Sequence, residues 1–165
     1  GVYSSFSMAT QLMEYPIQEA FNTEDFKLRL GDNVKFYFGE KPANVSGQVI
    51  AISKVRRKTM RNKEDPCAWA LLSSLLKMKE EALKRNSHIV VNVASNYKDN
   101  RIMSKENYQC AVGAMAVEVA LRGEILEPSA VIQAGSPYST DSYPADSGAG
   151  ENREPEGRTE SSCPK

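Results

Sequence analysis

One histidine, one tryptophan and three cysteines are all that 165 residues offer in those types, and the scarcity excludes several chemistries. Structural zinc asks for about four nitrogen or sulfur ligands at short spacing. Neither C-x-x-C nor H-x-x-x-H occurs, so no metal and no cofactor is expected. The glycines form neither G-x-x-x-x-G-K-[ST] nor G-x-G-x-x-G, which removes the usual phosphate cradles and with them nucleotide hydrolysis. A relay from His88 to Ser87, Ser95 or Cys110 lacks an elbow motif such as G-x-S-x-G, and His88 reads more simply as a residue leading into a strand. No apolar run approaches the roughly 18 residues of a membrane-spanning helix. No leader of basic, apolar and then small residues is visible either. The chain starts at Gly1 rather than Met, and the expectation is a trimmed or processed protein whose signal sequence has been removed.

The formal net charge is zero but unevenly spread. Residues 1–126 carry 18 Lys and Arg against 14 Asp and Glu, whereas residues 127–165 carry 3 against 7. Such asymmetry steers association without fixing a fold. From Glu127 onward Pro, Ser, Gly and acidic residues dominate, and "AVI" is the only apolar cluster. A segment of that composition buries too little surface to offset its ordering entropy. The expected organisation is a flexible N-terminus over 1–10, one α+β domain over 11–126, and a disordered acidic tail over 127–165 with a free thiol at Cys163.

Within the domain, "TQLMEYP" reads as a short strand and "PIQEAF" as a helix with Pro16 at its favoured first position. Asn22 or Thr23 can cap a second short helix, "EDFKLRL", closed by Gly31. "NVKFYFG" alternates, with Val34, Phe36 and Phe38 on one face. "GQVIAISKVRRKT" is a longer strand whose first half is expected to be buried on both faces and whose second half is basic. The firmest element is a helix over about 66–85: Asp65 stands where a cap belongs, Pro66 at the first position, and Lys84 and Arg85 at the end. Ala68, Leu71, Leu72, Leu75, Leu76, Ala82 and Leu83 form its apolar stripe. "HIVVNVASNY" and "NYQCAVGAMAVEVAL" read as two more strands, the first half-buried, joined by the turn "KDNRIMSKE". The fold class predicted is a two-layer α+β domain: a mainly antiparallel sheet of about four to five strands packed on one long helix, with short N-terminal helices.

Three groups of residues are candidates for function. Cys67 falls in the first turn of the long helix and Cys110 in the last strand, elements that should touch. Spacing alone leaves two readings open, a bridge closing a loop of about 44 residues or two buried thiols acting as small hydrophobes. "SKVRRKTMRNK" packs six cations into residues 53–63. Strand alternation puts Lys54, Arg56 and Lys58 on one face and Arg57 on the other, and with Arg61 they form a candidate anion-binding row. A solvated strand end explains the run better, and the lack of interleaved aromatics disfavours nucleic acid. Tyr97 and Lys98 form a candidate binding loop where the strand "IVVNVAS" stops, although a turn explains that stop better than a catalytic centre. Asn44-Val45-Ser46 matches the N-glycosylation sequon, which matters only for a secreted eukaryotic chain.

Taken together, "PIQEA", "VKFYFG", "CAWALLSSLLKMKEEALKRNSHIVVNVASNYKDN" and the "NYQC…VEVALRGE" segment resemble a small exported bacterial family labelled excinuclease ATPase subunit-like. The resemblance runs over about residues 12–126, strongest from Cys67 to Gly123, and the chain has no phosphate-binding loop to match the label. More distantly, the helix followed by "VVNV" and a strand holding "C-x-x-G" is similar to the signalling domain of the Rcs outer-membrane lipoprotein stress sensor, and to a small domain described as heavy-metal-binding. Those likenesses imply a compact α+β domain with Cys67 and Cys110 joined in a disulfide, hence an oxidising compartment. The chain departs from the lipoprotein in lacking an N-terminal acylation cysteine, and Asn86 and Ser87 replace the family's more frequent Gly and Ala. The expectation is a non-enzymatic exported domain, periplasmic or secreted with the cytoplasm as alternative, serving as an envelope sensor or interaction module whose partner is an unidentified envelope protein or ligand. An anion-binding module for nucleic acid, acidic polysaccharide or phospholipid is the competing expectation.

Overall fold

A computed structural model describes residues 9–39, 45–57 and 65–126. The calls on the N-terminus up to residue 8, the sequon residue Asn44, the cations Lys58 and Arg61, the tail over 127–165 and Cys163 lie outside the described residues.

The chain forms a strand β1 (Gln11–Pro16), a short helix α1 (Ile17–Phe21), a π-helical turn (Phe26–Leu30), β2 (Lys35–Phe38) and β3 (Val45–Arg56). After these come the long helix α2 (Pro66–Lys84), β4 (Ile89–Ser95), a 3-10 turn (Tyr97–Asp99), β5 (Asn107–Val112) and β6 (Ala116–Leu126). The class is α+β, with a mixed sheet curled as a half-barrel. Its order is β1-β5-β6-β4-β2, with β3 added to β6. β3 pairs with β6 along nearly its whole length, from Val45 opposite Leu126 to Arg56 opposite Ala116. The opposite edge of β6 is shared: Val117 and Glu118 pair with β5, and Leu121 to Ile125 pair with β4. All pairings are antiparallel except β2 with β4.

The segment "NYQCAVGAMAVEVAL", expected to be one strand, is two. Gly113 donates its backbone N–H to Ala116 O at 2.9 Å, and the chain reverses between Val112 and Val117. The split moves Cys110 from the last strand to the penultimate one and brings the strand count to six.

α2 begins and ends as its sequence dictates. The Asp65 carboxylate accepts the backbone N–H groups of Cys67 at 2.9 Å and Ala68 at 3.3 Å, two of the donors a helix start leaves orphaned. At the other end Ser87 N donates to Ala82 O and Asn86 N to Leu83 O, with Asn86 at φ 58°. This is the Schellman arrangement, with Asn in the left-handed position that Gly usually takes. Leu71, Leu72, Leu75 and Ala82 of the expected stripe are buried, whereas Ala68, Leu76 and Leu83 are half-buried against the core. Ala70, Ser74 and Met78, left out of that stripe, are fully buried, because the helix touches β3, β4, β6 and the π-helical turn and so covers a wider arc than one flat layer would demand. Ser74 Oγ satisfies itself by donating to Val119 O at 2.9 Å.

Two strands depart from their expected burial. β3 was expected to be buried on both faces in its first half, yet Val49, Ala51, Ser53 and Val55 point inward while Gln48, Ile50 and Ile52 stand exposed. α2 packs against β3, and the strand's burial alternates accordingly, one face in the core and the other exposed. β4 shows the reverse: Val90 and Val93 join the core opposite Phe36 and Phe38, and Val91 and Ala94 are also buried, so it is not half-buried. A bulge at Asn92, with φ 54°, interrupts the alternation between Val91 and Ala94, and its side chain donates to Glu124.

Candidate functional site

Cys67 and Cys110 are bonded, with Cα atoms 5.9 Å apart, and both are buried. The bond fastens the first turn of α2 to β5, and through the β1–β5 pairing, where Cys110 faces Met13, to the N-terminal strand. Tyr108, two residues before Cys110, is buried beside Tyr15, ring centroids 6.0 Å apart. Burial first, and then the charges of Asp65, Tyr15 and Glu19, push the Tyr108 hydroxyl well above the usual tyrosine range.

The groups from which a nucleophile relay would be built are each engaged elsewhere. Ser87 Oγ donates to Leu126 O at 2.8 Å, tying the end of α2 to the end of β6. Ser95 Oγ accepts the N–H of Gln109 at 2.9 Å. Cys110 is in the disulfide. His88 is exposed, and its Nδ1 lies 3.0 Å from Asn33 O where β2 and β4 begin to run in parallel. Among the described residues no three His, Cys, Asp or Glu side chains gather as a metal site.

The loop after β4 is built on strain. Asn96 N donates to Ala120 O at 2.8 Å, and then Lys98 and Asp99 both take left-handed φ values, 51° and 62°. Such conformations cost non-glycine residues about 1–2 kcal/mol, so the turn is held by its surroundings. Lys98 Nζ lies 5.5 Å from the centre of the Tyr97 ring. Asn96 is buried, and its Oδ1 has no hydrogen-bond partner among the described residues. The sequence signal for this loop was the stop of the apolar run; the αL pair was not visible in it.

The structure divides the basic row. Lys54 and Arg56 share the outer face of β3, as strand alternation requires, and Lys54 Nζ lies 3.7 Å from Glu118 Oε1 on the paired strand. Arg57 sits just past the strand, is exposed, and donates its backbone N–H to Met115 O at 2.9 Å. That bond sets the end of β3 against the β5–β6 turn. An open cleft of about 620 Å³ lies there, lined among the described residues by Arg56, Arg57, Ala114, Met115 and Ala116. Sequence reasoning found the arginines but missed the cleft, because Ala114 and Met115 had been placed inside a strand. Tyr97 and Lys98 are not among the residues that line it.

Comparison with protein-family models, with curated proteins and with solved structures finds no match. Among the described residues no helix is long and apolar enough to cross a membrane.

Proposed function

We propose that this chain is a non-enzymatic sensor or interaction module of the cell envelope, working in an oxidising compartment. The observation that carries the reading is the Cys67–Cys110 bond between α2 and β5. A buried disulfide in a domain with a full apolar core is typical of exported proteins and rare in reducing cytosol. The likeness of the Cys67–Gly123 stretch to a small exported family and to a lipoprotein stress sensor points the same way. Cell fractionation with immediate thiol trapping tests it: the chain expressed from its natural gene is expected in the envelope or secreted fraction with Cys67 and Cys110 oxidised. Recovery from the cytosol with both thiols free would refute it.

The competing reading, an anion-binding row over residues 54–63, is favoured by one observation, the placement of Arg56 and Arg57 on a common cleft. Lys54 already has a carboxylate beside it, which weakens its part in a continuous phosphate track. Five phosphate contacts to duplex DNA would give a logarithmic salt slope of about −4 to −5. A flat salt dependence, or no binding at low salt, removes the nucleic-acid form of this reading.

A further inference from the structure

We propose that the chain forms a two-fold dimer through β1, whose open edge pairs antiparallel, about Leu12, with the β1 of a second copy. The inference goes beyond the envelope reading and does not depend on the compartment. β1 ends the sheet: it pairs with β5 on one side and has no strand partner on the other among the described residues. The register decides which backbone groups face that open side. Ile17 donates its N–H to Glu106 O at 2.9 Å, and alternation then turns Tyr15, Met13 and Gln11 toward β5 as well. Gln109, opposite Glu14, gives the same phase, because its N–H points away from β1 to Ser95 Oγ. Leu12 and Glu14 therefore present their N–H and C=O groups outward, and Thr10 continues the row. Pro16 comes next in that row and has no N–H to offer.

The usable edge, Thr10 to Glu14, is symmetric about Leu12, and this selects a second copy as the partner. In an antiparallel pair centred there, Leu12 exchanges both hydrogen bonds with the partner's Leu12, and Thr10 does so with the partner's Glu14. Centring on Met13 would set Pro16 opposite the partner's Thr10 and lose a bond at each end. The Leu12 register also sets the one charge of β1, Glu14, opposite a threonine. The two Glu14 carboxylates then stand roughly 13 Å apart along the strands, beyond the Debye length of about 8 Å at physiological salt. Leu12, opposite Ala111, is 47 % exposed, and Met13, opposite Cys110 on the other face, is 38 % exposed. Apolar side chains thus flank the seam on both sides of the sheet. The other open edges suit pairing less well. Lys77 occupies the Ile52 carbonyl on β3, and β2 is only four residues long and breaks register with β4 between Phe36 and Phe38. β1 carries no cation and pairs with β5 from Gln11 to Pro16 without a bulge, which leaves its edge flat and unobstructed.

The test uses the full chain. Sedimentation velocity over a hundredfold range of concentration is expected to show a reversible equilibrium between monomer and dimer. Amide hydrogen exchange, read residue by residue by NMR, should slow at least tenfold at Leu12 and Glu14 as the dimer fills, while Met13 and Tyr15, already bonded to β5, change far less. Leu12→Lys sets two ammonium groups opposite each other at the two-fold axis. It should weaken dimerisation at least tenfold with an unchanged unfolding midpoint, since the side chain is exposed in the monomer. A chain that stays monomeric throughout, a dimer that Leu12→Lys leaves intact, or a dimer whose Leu12 and Glu14 amides exchange as fast as in the monomer would overturn the proposal. Protection of those two amides that is complete at every concentration while the chain sediments as a monomer would put a segment of the same chain on the edge, and would overturn it too.

Discussion

Lys77, on α2, donates its ammonium group to the backbone carbonyl of Ile52, on β3. β3 pairs with β6 on one side and has no strand partner on the other among the described residues, so that carbonyl belongs to an open edge. On the face of the same strand, the Arg85 guanidinium occupies the place where a side chain at Gly47 would begin. Cations laid on an edge strand obstruct pairing with another chain. Lys77→Leu is therefore expected to make the protein associate with rising concentration, while the parent chain does so less. Sedimentation velocity over a hundredfold concentration range reads the difference, and identical profiles would show that Lys77 does not guard the edge.

The two ends of α2 give paired predictions. Asp65→Ala removes the acceptor for Cys67 N and Ala68 N and should cost about 1 kcal/mol of unfolding free energy. Asn86→Ala places an ordinary side chain at φ 58° and should also cost about 1 kcal/mol, whereas Asn86→Gly should hold or raise stability. Denaturant unfolding measures all three, and an Asn86→Gly loss as large as that of Asn86→Ala would contradict the left-handed assignment.

Alkaline stability follows from Tyr108. Its hydroxyl titrates well above the ordinary value of 10.0 in the folded chain because it is buried among acidic neighbours. Its contribution is complete below about pH 10. Above that, the unfolded chain loses the proton while the folded chain keeps it, so stability falls as pH rises toward the folded value. The slope should approach about 1.4 kcal/mol per pH unit for this one group. Burial raises Tyr37 in the same direction. Denaturant midpoints between pH 9 and 11 should decline in the parent chain and decline less in Tyr108→Phe; equal slopes would remove Tyr108 from the account.

What could be read from the sequence depended on how local the cause was. The ends of α2 were legible because Asp65, Pro66, Lys84 and Arg85 act within one helical turn of themselves. The face of β2 was legible because Val34, Phe36 and Phe38 alternate without interruption. The turn at Gly113–Met115 was not, since Ala114 and Met115 are no turn formers and the apolar pattern runs straight through them. Nor was the bulge at Asn92, whose side chain meets Glu124 on a strand that lies 32 residues later. The exposure of Ile50 and Ile52 depends on where helix cover stops, which no local pattern encodes. For the candidate cleft, the arginines were visible in the sequence; their apolar neighbours came into view only with the β5–β6 hairpin.

The disulfide carries both the stability and the compartment arguments. In the chain-entropy picture a crosslink over a separation of 43 residues is worth up to about 4 kcal/mol. Reduction should lower stability by about 2–4 kcal/mol and leave the fold intact at room temperature. Equal unfolding curves with and without reductant would mean that the bond constrains little.

The most direct measurement is a thiol count on the protein as isolated, in denaturant without reductant, by alkylation and mass spectrometry. Of the three cysteines, Cys163 alone is expected to be labelled, with Cys67 and Cys110 recovered as one crosslinked peptide pair. Labelling of all three would contradict the bond between α2 and β5, and with it the oxidising compartment on which the proposed function stands.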